Sequence, residues 1–405
     1  MRLKDIAYIN PAYTGPDLGD QLVSFSPMEC LRYDSLKPIT ISFSEAKGKY
    51  TFFKDNDILF AKVTPCFENQ NIAIANNLVN GIGFGSSEIN VLRLKSDASL
   101  RYMFYVICSN RFYNTGCSSM CGVGGLKRIN PRAVSTFEFT MPSLTEQEAI
   151  AAYLDKECEK IGRKIELLER KAYAYSRLRR SLINRAVTRG LDPNKTFKTS
   201  KSSICIEIPS HWREKRIKDI FTEKSIKGYP NEPMLCATQS KGVIPQSLYE
   251  NRVVTAVSGL ENMKLVDVGN FVISLRSFQG GIEYAYYRGI ISAAYTILEL
   301  DTNNSRDYFR HFFKSLSLIK LMKKCVTGIR DGQNINYTTL KYEHIPVPPI
   351  DEQNEIAAYL DEKCAKIDTI LEKINTEVER LKELKRSLIN EVVTGQRAID
   401  TESRS

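Results

Sequence analysis

The sequence predicts an α+β protein: two mixed α/β globular domains separated by two long antiparallel helices in a coiled coil, a pseudo-twofold dumbbell. Three observations carry that prediction. A stretch occurs twice: Glu146-Gln147 followed by Ile150-Ala151-Ala152-Tyr153-Leu154-Asp155 returns as Glu352-Gln353 followed by Ile356-Ala357-Ala358-Tyr359-Leu360-Asp361. The offset, 352 minus 146, is 206, and it holds without a gap to Arg180-Ser181-Leu182-Ile183-Asn184 and Arg386-Ser387-Leu388-Ile389-Asn390. Each copy carries an apolar seam at coiled-coil spacing. The segments preceding the two copies share one plan of strands and helices.

Taken in order, residues 1–143 form the first domain and 216–349 the second. Each opens on Lys-Asp-Ile (Lys4-Asp5-Ile6; Lys218-Asp219-Ile220) and continues into an apolar β-like run, Asp57 to Val63 and Asp267 to Ser274. A second strand follows small residues, Gly85 to Leu92 and Ser292 to Leu298. An aromatic-rich helix comes next, near Arg101–Asn110 and Arg306–Met322, then a polar loop, Gly125 to Asn130 and Gly332 to Asn336. Divergent loops on a shared scaffold suggest two related but different binding surfaces.

The helical regions are 144–190 and 350–395, with the helices themselves at about 145–188 and 351–394. Thr145 and Asp351 beside prolines supply entry signals, and only Gly162 interrupts the first copy. The first seam reads Ile150, Leu154, Ile161, Ile165, Leu168, Leu178, Leu182. The second reads Ile356, Leu360, Ile367, Leu371, Ile374, Val378, Leu381, Leu384, Leu388, with Cys364 between. At about 44 residues each helix reaches roughly 65 Å, too long for one small domain. Residues 191–215 read as a turn-rich linker and 396–405 as a C-terminal tail.

A formal net charge of +10 permits nucleic-acid binding without proving it, since a solvated basic surface gives the same sum. No apolar run approaches a membrane span and no signal-peptide core follows Met1, so the expectation is a cytoplasmic protein with no membrane. Ten scattered cysteines read as reduced thiols. Catalytic chemistry is hard to find. His211, His311 and His344 are scattered, and each reads as structural. Cys117 and Cys121 make one CxxxC without a second pair, so no metal is assigned. Gly122-Val123-Gly124-Gly125 lacks the Lys-Ser/Thr of a phosphate loop. Asp17 with Glu45-Ala46-Lys47 imitates a metal-nuclease cluster only in residue types that chance supplies. No Asn/Asp-Pro-Pro-aromatic tetrapeptide is present, Asn10-Pro11-Ala12 being the nearest.

Two variable domains, each followed by a long helix opening Glu-Gln-x-x-Ile-Ala-x-Tyr-Leu-Asp and closing Ser-Leu-Ile-Asn, resemble the specificity subunit of a Type I restriction-modification system. The resemblance covers nearly the whole chain. It implies two target recognition domains, each reading half of a bipartite double-stranded DNA site, with the antiparallel coiled coil as a ruler. Two modification (methyltransferase) subunits would dock on the helices and restriction (motor-nuclease) subunits would join. S-adenosylmethionine, Mg and ATP would belong to those partners, leaving no catalytic residue and no cofactor here. Lys62-Val63-Thr64-Pro65-Cys66-Phe67-Glu68-Asn69 with Gly83-Phe84-Gly85-Ser86 resembles one recognition-domain class, and Ser274-Leu275-Arg276-Ser277-Phe278-Gln279-Gly280-Gly281-Ile282-Glu283 another. The first domain lacks the Pro-x-x-Trp lead-in seen at Pro209-Ser210-His211-Trp212, which leaves the natural start at Met1 in question.

Major-groove reading uses Arg, Asn and Gln side chains, while Lys and Arg on phosphates set register. The candidate DNA contacts are Lys62, Asn69, Gln70, Asn71, Lys127 and Arg128 in the first domain, and Arg276, Gln279, Arg330, Gln333 and Asn334 in the second. Two competing functions are a self-contained DNA-modifying or cleaving enzyme with a coiled-coil dimerisation arm, and a scaffold that binds only protein.

Overall fold

The computed structural model of the chain describes residues 1–95, 98–123, 125–249, 259–327 and 334–399, Thr327 and Asn334 by their backbones alone. The chain divides into two compact units: Met1–Glu169 with the chain from Thr376 onward, and Arg170–Asn375. Neither unit is a single stretch of helix or sheet. Each combines one globular domain with the start of one long helix and the end of the other.

In the first unit a four-stranded antiparallel sheet has the order Ala7–Ile9, Ile89–Leu94, Ile58–Ala61, Ile72–Ile74. The run Ile58-Leu59-Phe60-Ala61 is buried throughout because both faces of the sheet are covered. Ile58, Phe60 and Leu92 face a core shared with the helix Leu100–Cys108, whereas Leu59, Val91 and Ala73 face a smaller one with Leu31 and Phe53. A second sheet, ordered Ile39–Ser42, Leu22–Ser26, Ile82–Gly85, Thr51–Lys54, contains one parallel pair, Leu22–Ser26 with Ile82–Gly85. Its Gly83 has a packing reason: a Cβ there would meet the Phe53 ring at 2.4 Å.

The second unit repeats the main sheet in the same order: Phe221–Lys224, Thr296–Leu300, Phe271–Ile273, Glu283–Tyr284. Its core is aromatic, with Phe221 edge-on to Phe271 and Phe309 at centroid distances of 5.8 and 5.1 Å. Segment 191–215, expected as a linker, is instead folded. Phe197–Thr199 and Glu207–Pro209 pair as a hairpin, and Ile204, Ile208 and Trp212 enter the core. The physical reason is apolar content: a fully buried indole is too much surface to leave in a linker.

The long helices span Leu144–Arg189 and Ile350–Val393. Within each unit their segments run antiparallel. In the first unit Lys164 pairs with Glu377 at 3.1 Å, and further back Cys158 and Lys385 both adjoin Tyr33. In the second, Arg179 pairs with Asp368 at 3.1 Å, and Gly190 lies against Glu352. The seam is buried or half-buried at Ile150, Leu154, Ile161, Ile165, Leu168, Leu182, Ile356, Leu360, Ile367, Leu371, Ile374, Val378, Leu381 and Leu388. Leu178 and Leu384 are corrections: both are 46% exposed. After Leu381 the seam steps by four to Lys385, whose ammonium covers the Tyr33 ring at 4.1 Å, and not by three to Leu384. Arg179 takes the place expected of Leu178. Of the aromatic helices, the first stands as expected at Leu100–Cys108 and is followed by another, Asn110–Ser118, whereas the second breaks into Arg306–Phe312 and Leu316–Lys324.

The repeated motif residues tie domain to helix. Gln147, 2% exposed, accepts from the Ser99 amide with Oε1 (3.0 Å) and donates to the Pro142 carbonyl with Nε2 (2.9 Å). Gln353, 1% exposed, does the same with the Ser305 amide (2.8 Å) and the Pro348 carbonyl (2.9 Å). At the far helix ends, Asn184 Oδ1 accepts from the Ser317 amide and Asn390 Oδ1 from the Arg111 amide, at 2.8 and 3.3 Å. Each amide is an otherwise orphaned donor at a helix N-terminus. A third tie joins Asp155 to Arg101 and Tyr105 (both 2.6 Å), and Asp361 to Arg310 (2.8 Å) and His311 (2.7 Å).

The copies diverge at their first residue. Glu146 accepts from the Ser143 amide and hydroxyl, closing its own helix start. Glu352 instead binds Trp212 Nε1 (3.0 Å), His211 (2.6 Å) and Lys195 (3.1 Å). Burial alone would raise the Glu352 pKa, but these three hydrogen bonds hold it below the ordinary carboxylate value. All ten cysteines are free thiols. Among the described residues no helix is long and apolar enough to cross a membrane.

Candidate nucleic-acid interface

In the first domain the loop after strand Ile58–Ala61 meets the loop after helix Asn110–Ser118. Thr64 donates its amide to the Lys127 carbonyl (3.0 Å) and its hydroxyl to the Gly125 carbonyl (2.9 Å), while the Lys127 amide donates back to Thr64 Oγ1 (3.0 Å). The Lys62 amide donates to the Glu88 carbonyl, and the Lys62 carbonyl accepts from the Ile129 amide, each at 2.9 Å. Three loops are thus knitted through their backbones, leaving the side chains of Asn69 and Lys127 exposed and Lys62 half-buried.

Two expected readers are structural here. Asn71 is 7% exposed and sits where the chain re-enters the sheet, its carbonyl accepting from the Ala61 amide. Gln70 takes a left-handed φ of 52° and turns its amide inward, Nε2 donating to the Cys108 carbonyl at 3.2 Å. The turn itself is closed by their backbones, the Gln70 amide donating to the Phe67 carbonyl and the Asn71 amide to the Cys66 carbonyl. Arg128 is brought to the loop cluster, but its guanidinium is bidentate on Glu88, at 2.9 and 2.7 Å. That pairing lowers the Glu88 pKa and raises the Arg128 pKa. A base edge would have to displace Glu88.

In the second domain Arg276 and Gln279 are exposed on a short helix, Ser277–Gly280, whose start is tied by Ser277 Oγ accepting from the Ser274 amide at 2.8 Å. Arg330 and Gln333 lie outside the described residues, and for Asn334 only the backbone, in strand Asn334–Ile335, is described. The structure adds residues that sequence reasoning missed. A groove of about 1030 Å³ runs beside Gln279, with Arg180, Lys241, Lys314 and Lys323 on its walls and Tyr286 and Tyr287 among its rings. Its cations outnumber its two carboxylates, Glu283 and Asp368, which are paired with Lys314 and Arg179. Basic walls interleaved with aromatic rings suit a polyanion carrying flat bases. One signal for these positions was available: the ungapped offset of 206 extends back through the helix caps Asn130 and Asn336, Ser109 and Ser315, to Ser99 and Ser305. It places the positions of Lys314 and Lys323 in the shared frame, where the first copy has Cys108 and Cys117, and does not reach Lys241, Tyr286 or Tyr287.

Among the described residues no three His, Cys, Asp or Glu side chains gather where they could hold a metal ion.

Comparison with known proteins places these features in context. The family model for the Type I restriction modification DNA specificity domain matches twice, at residues 4–172 and 209–380. The EcoEI specificity subunit of a Type I restriction enzyme from Escherichia coli is 37% identical over 158 residues, which is 38% of this chain and 26% of that protein. The EcoAI specificity subunit, also from Escherichia coli, is 38% identical over 152 residues, 36% of this chain and 26% of that protein. The chain therefore matches about a quarter of the length of these relatives. A solved chain from work on complex assembly and conformational transition of the type I R-M system superposes with a TM-score of 0.72 at 17% identity. The match covers 98% of this chain and 97% of that one, a likeness of fold.

Proposed function

We propose that this chain, which belongs to the Type I restriction modification DNA specificity domain family, is the DNA-reading subunit of a Type I restriction-modification complex. In this reading it recognises a bipartite double-stranded site, one half per domain, and performs no chemistry itself. Two modification (methyltransferase) subunits bind along the helices and restriction (motor-nuclease) subunits join them. S-adenosylmethionine, Mg and ATP act in those partners.

The observation that supports this most directly is the doubled set of ties. Gln147 and Gln353, Asn184 and Asn390 hold two different loop surfaces on two copies of one frame. A protein with one binding surface has no use for two constant frames carrying divergent loops. Each frame presents cationic and amide side chains, Lys62, Asn69 and Lys127 in one, Arg276 and Gln279 in the other, of the kinds that contact phosphates and base edges.

The test is to express the chain with its methyltransferase partner and map methylated bases across a genome. A split motif, two short defined sequences around an undefined spacer, is expected. A continuous motif, or methylation by this chain alone, would overturn the reading.

A further inference from the structure

The turn Gln239–Lys241 and the short helix Ser277–Gly280 are joined from beneath by one lysine. Lys314 Nζ donates to the Gln239 carbonyl (3.4 Å), the Gly280 carbonyl (3.1 Å) and Glu283 Oε1 (2.6 Å). Glu283 is 2% exposed, and its other oxygen, Oε2, has no partner among the described residues. A buried ion pair with an unmatched oxygen is weak as a source of stability, because desolvation offsets most of its Coulomb attraction. What this pair does visibly is fix two loops to one point.

The glycines around it are needed for the same approach. A Cβ on Gly280 would lie 2.6 Å from Gln239 Cδ, so the Gln239 side chain rests directly on that backbone. Gly281 has φ +93° and a Cβ there would lie 2.2 Å from the Phe313 carbonyl oxygen. Gly242 has φ +73°, with 2.6 Å to the Tyr284 carbonyl oxygen. The turn itself is closed by Thr238, whose hydroxyl donates to the Gly242 carbonyl (2.9 Å) and accepts from the Lys241 amide (3.0 Å). The result is two exposed glutamines side by side on a rigid base, within a groove whose walls are basic.

We infer that Gln239 and Gln279 form a paired reading head for adenine edges in one half of the DNA site, with Lys314 and Glu283 as positioning residues that hold the pair in register. This rests on the reading of the chain as a DNA-recognition subunit. A glutamine amide offers one acceptor and two donors and matches adenine N6 and N7 in the major groove, but only if its backbone is held so that both hydrogen bonds form together. Two such amides on adjoining loops address adjacent A·T pairs.

The test uses the complex of this chain with its methyltransferase subunits and duplexes carrying its motif, or that motif with single base pairs changed. Gln239→Ala and Gln279→Ala each reduce discrimination at one A·T pair, or at two adjacent ones, in a single half-site by about 5- to 150-fold. The other half-site and the salt dependence of binding stay as they were, which a merely structural role would not produce. Replacing the ion pair as a unit, Glu283→Leu with Lys314→Met, orphans no charge and is expected to relax the same positions while the unfolding midpoint holds. If that double variant unfolds, the two glutamine variants decide alone. Should the unaltered complex bind its split motif while both glutamine variants discriminate undiminished, this inference falls and the DNA-recognition reading stands. Failure of the unaltered complex to bind any specific sequence removes both.

Discussion

Gln353 is 1% exposed and bonded to a backbone amide and a backbone carbonyl, so its replacement has a calculable effect. Gln353→Ala leaves the Ser305 amide and the Pro348 carbonyl without partners in a buried site. Each orphaned group costs about 1–3 kcal/mol, so the second unit should lose about 2–6 kcal/mol, read as an earlier denaturant transition. His311 gives a pH-dependent counterpart. Burial, the largest influence, lowers its pKa below the ordinary 6.5, and the hydrogen bond to Asp361 only partly opposes this; Arg310 and Arg179 lower it further. The unfolded chain therefore binds more protons than the native one below pH 6.5, and this contribution to stability, complete above that value, is lost as pH falls from it through the lower native one. The first unit has Tyr105 in the corresponding place, bonded to Asp155 and silent in this range. His311→Tyr should flatten the loss between pH 6.5 and 5 in a series of melting curves. Buried Glu283, whose pKa is raised, acts in the opposite sense, so the comparison between native and variant isolates His311.

At the level of elements, the helix seams separate apolar residues that look alike in sequence. Leu381 is 3% exposed and Leu384 46%. Leu381→Ala should destabilise the first unit by about 2–5 kcal/mol, against at most about 0.5 kcal/mol for Leu384→Ala, in matched denaturation curves. Period alone could not distinguish them, because a seam that steps by three or four reads Leu381 to Leu384 as readily as Leu381 to Lys385. The choice is made by Tyr33, a residue from a distant loop that offers its ring to the lysine. The same limit explains Asn71 and Gln70: their residue types fit base reading, and only the folded chain shows that Asn71 is buried and that the Gln70 amide is taken by the Cys108 carbonyl. The helices, by contrast, were legible almost to the residue, since their duplicated motifs are local, although the first is capped by Ser143 and not Thr145, and Asp351 lies inside the second. Segment 191–215 was not, because Trp212 owes its place to Glu352, far along the chain.

For the whole molecule, two separate cores imply exchangeable readers. Replacing residues 1–143 by the matching segment of another family member, one that supplies a serine cap equivalent to Ser99, should change one half of the methylated motif and leave the other. Simultaneous change of both halves in the mapped motif would show the readers to be coupled. Because the first unit's core needs Leu388, Ile389, Val392 and Val393, the domain made earlier of the two is not the one finished earlier. The unit at Arg170–Asn375 is continuous in sequence and can close as soon as it emerges. At about 5–20 residues per second, the N-terminal domain waits some 12–50 s for its closing helix. Throughout that interval the apolar surface meant for those four side chains stands open, a window in which a nascent chain has most need of a chaperone.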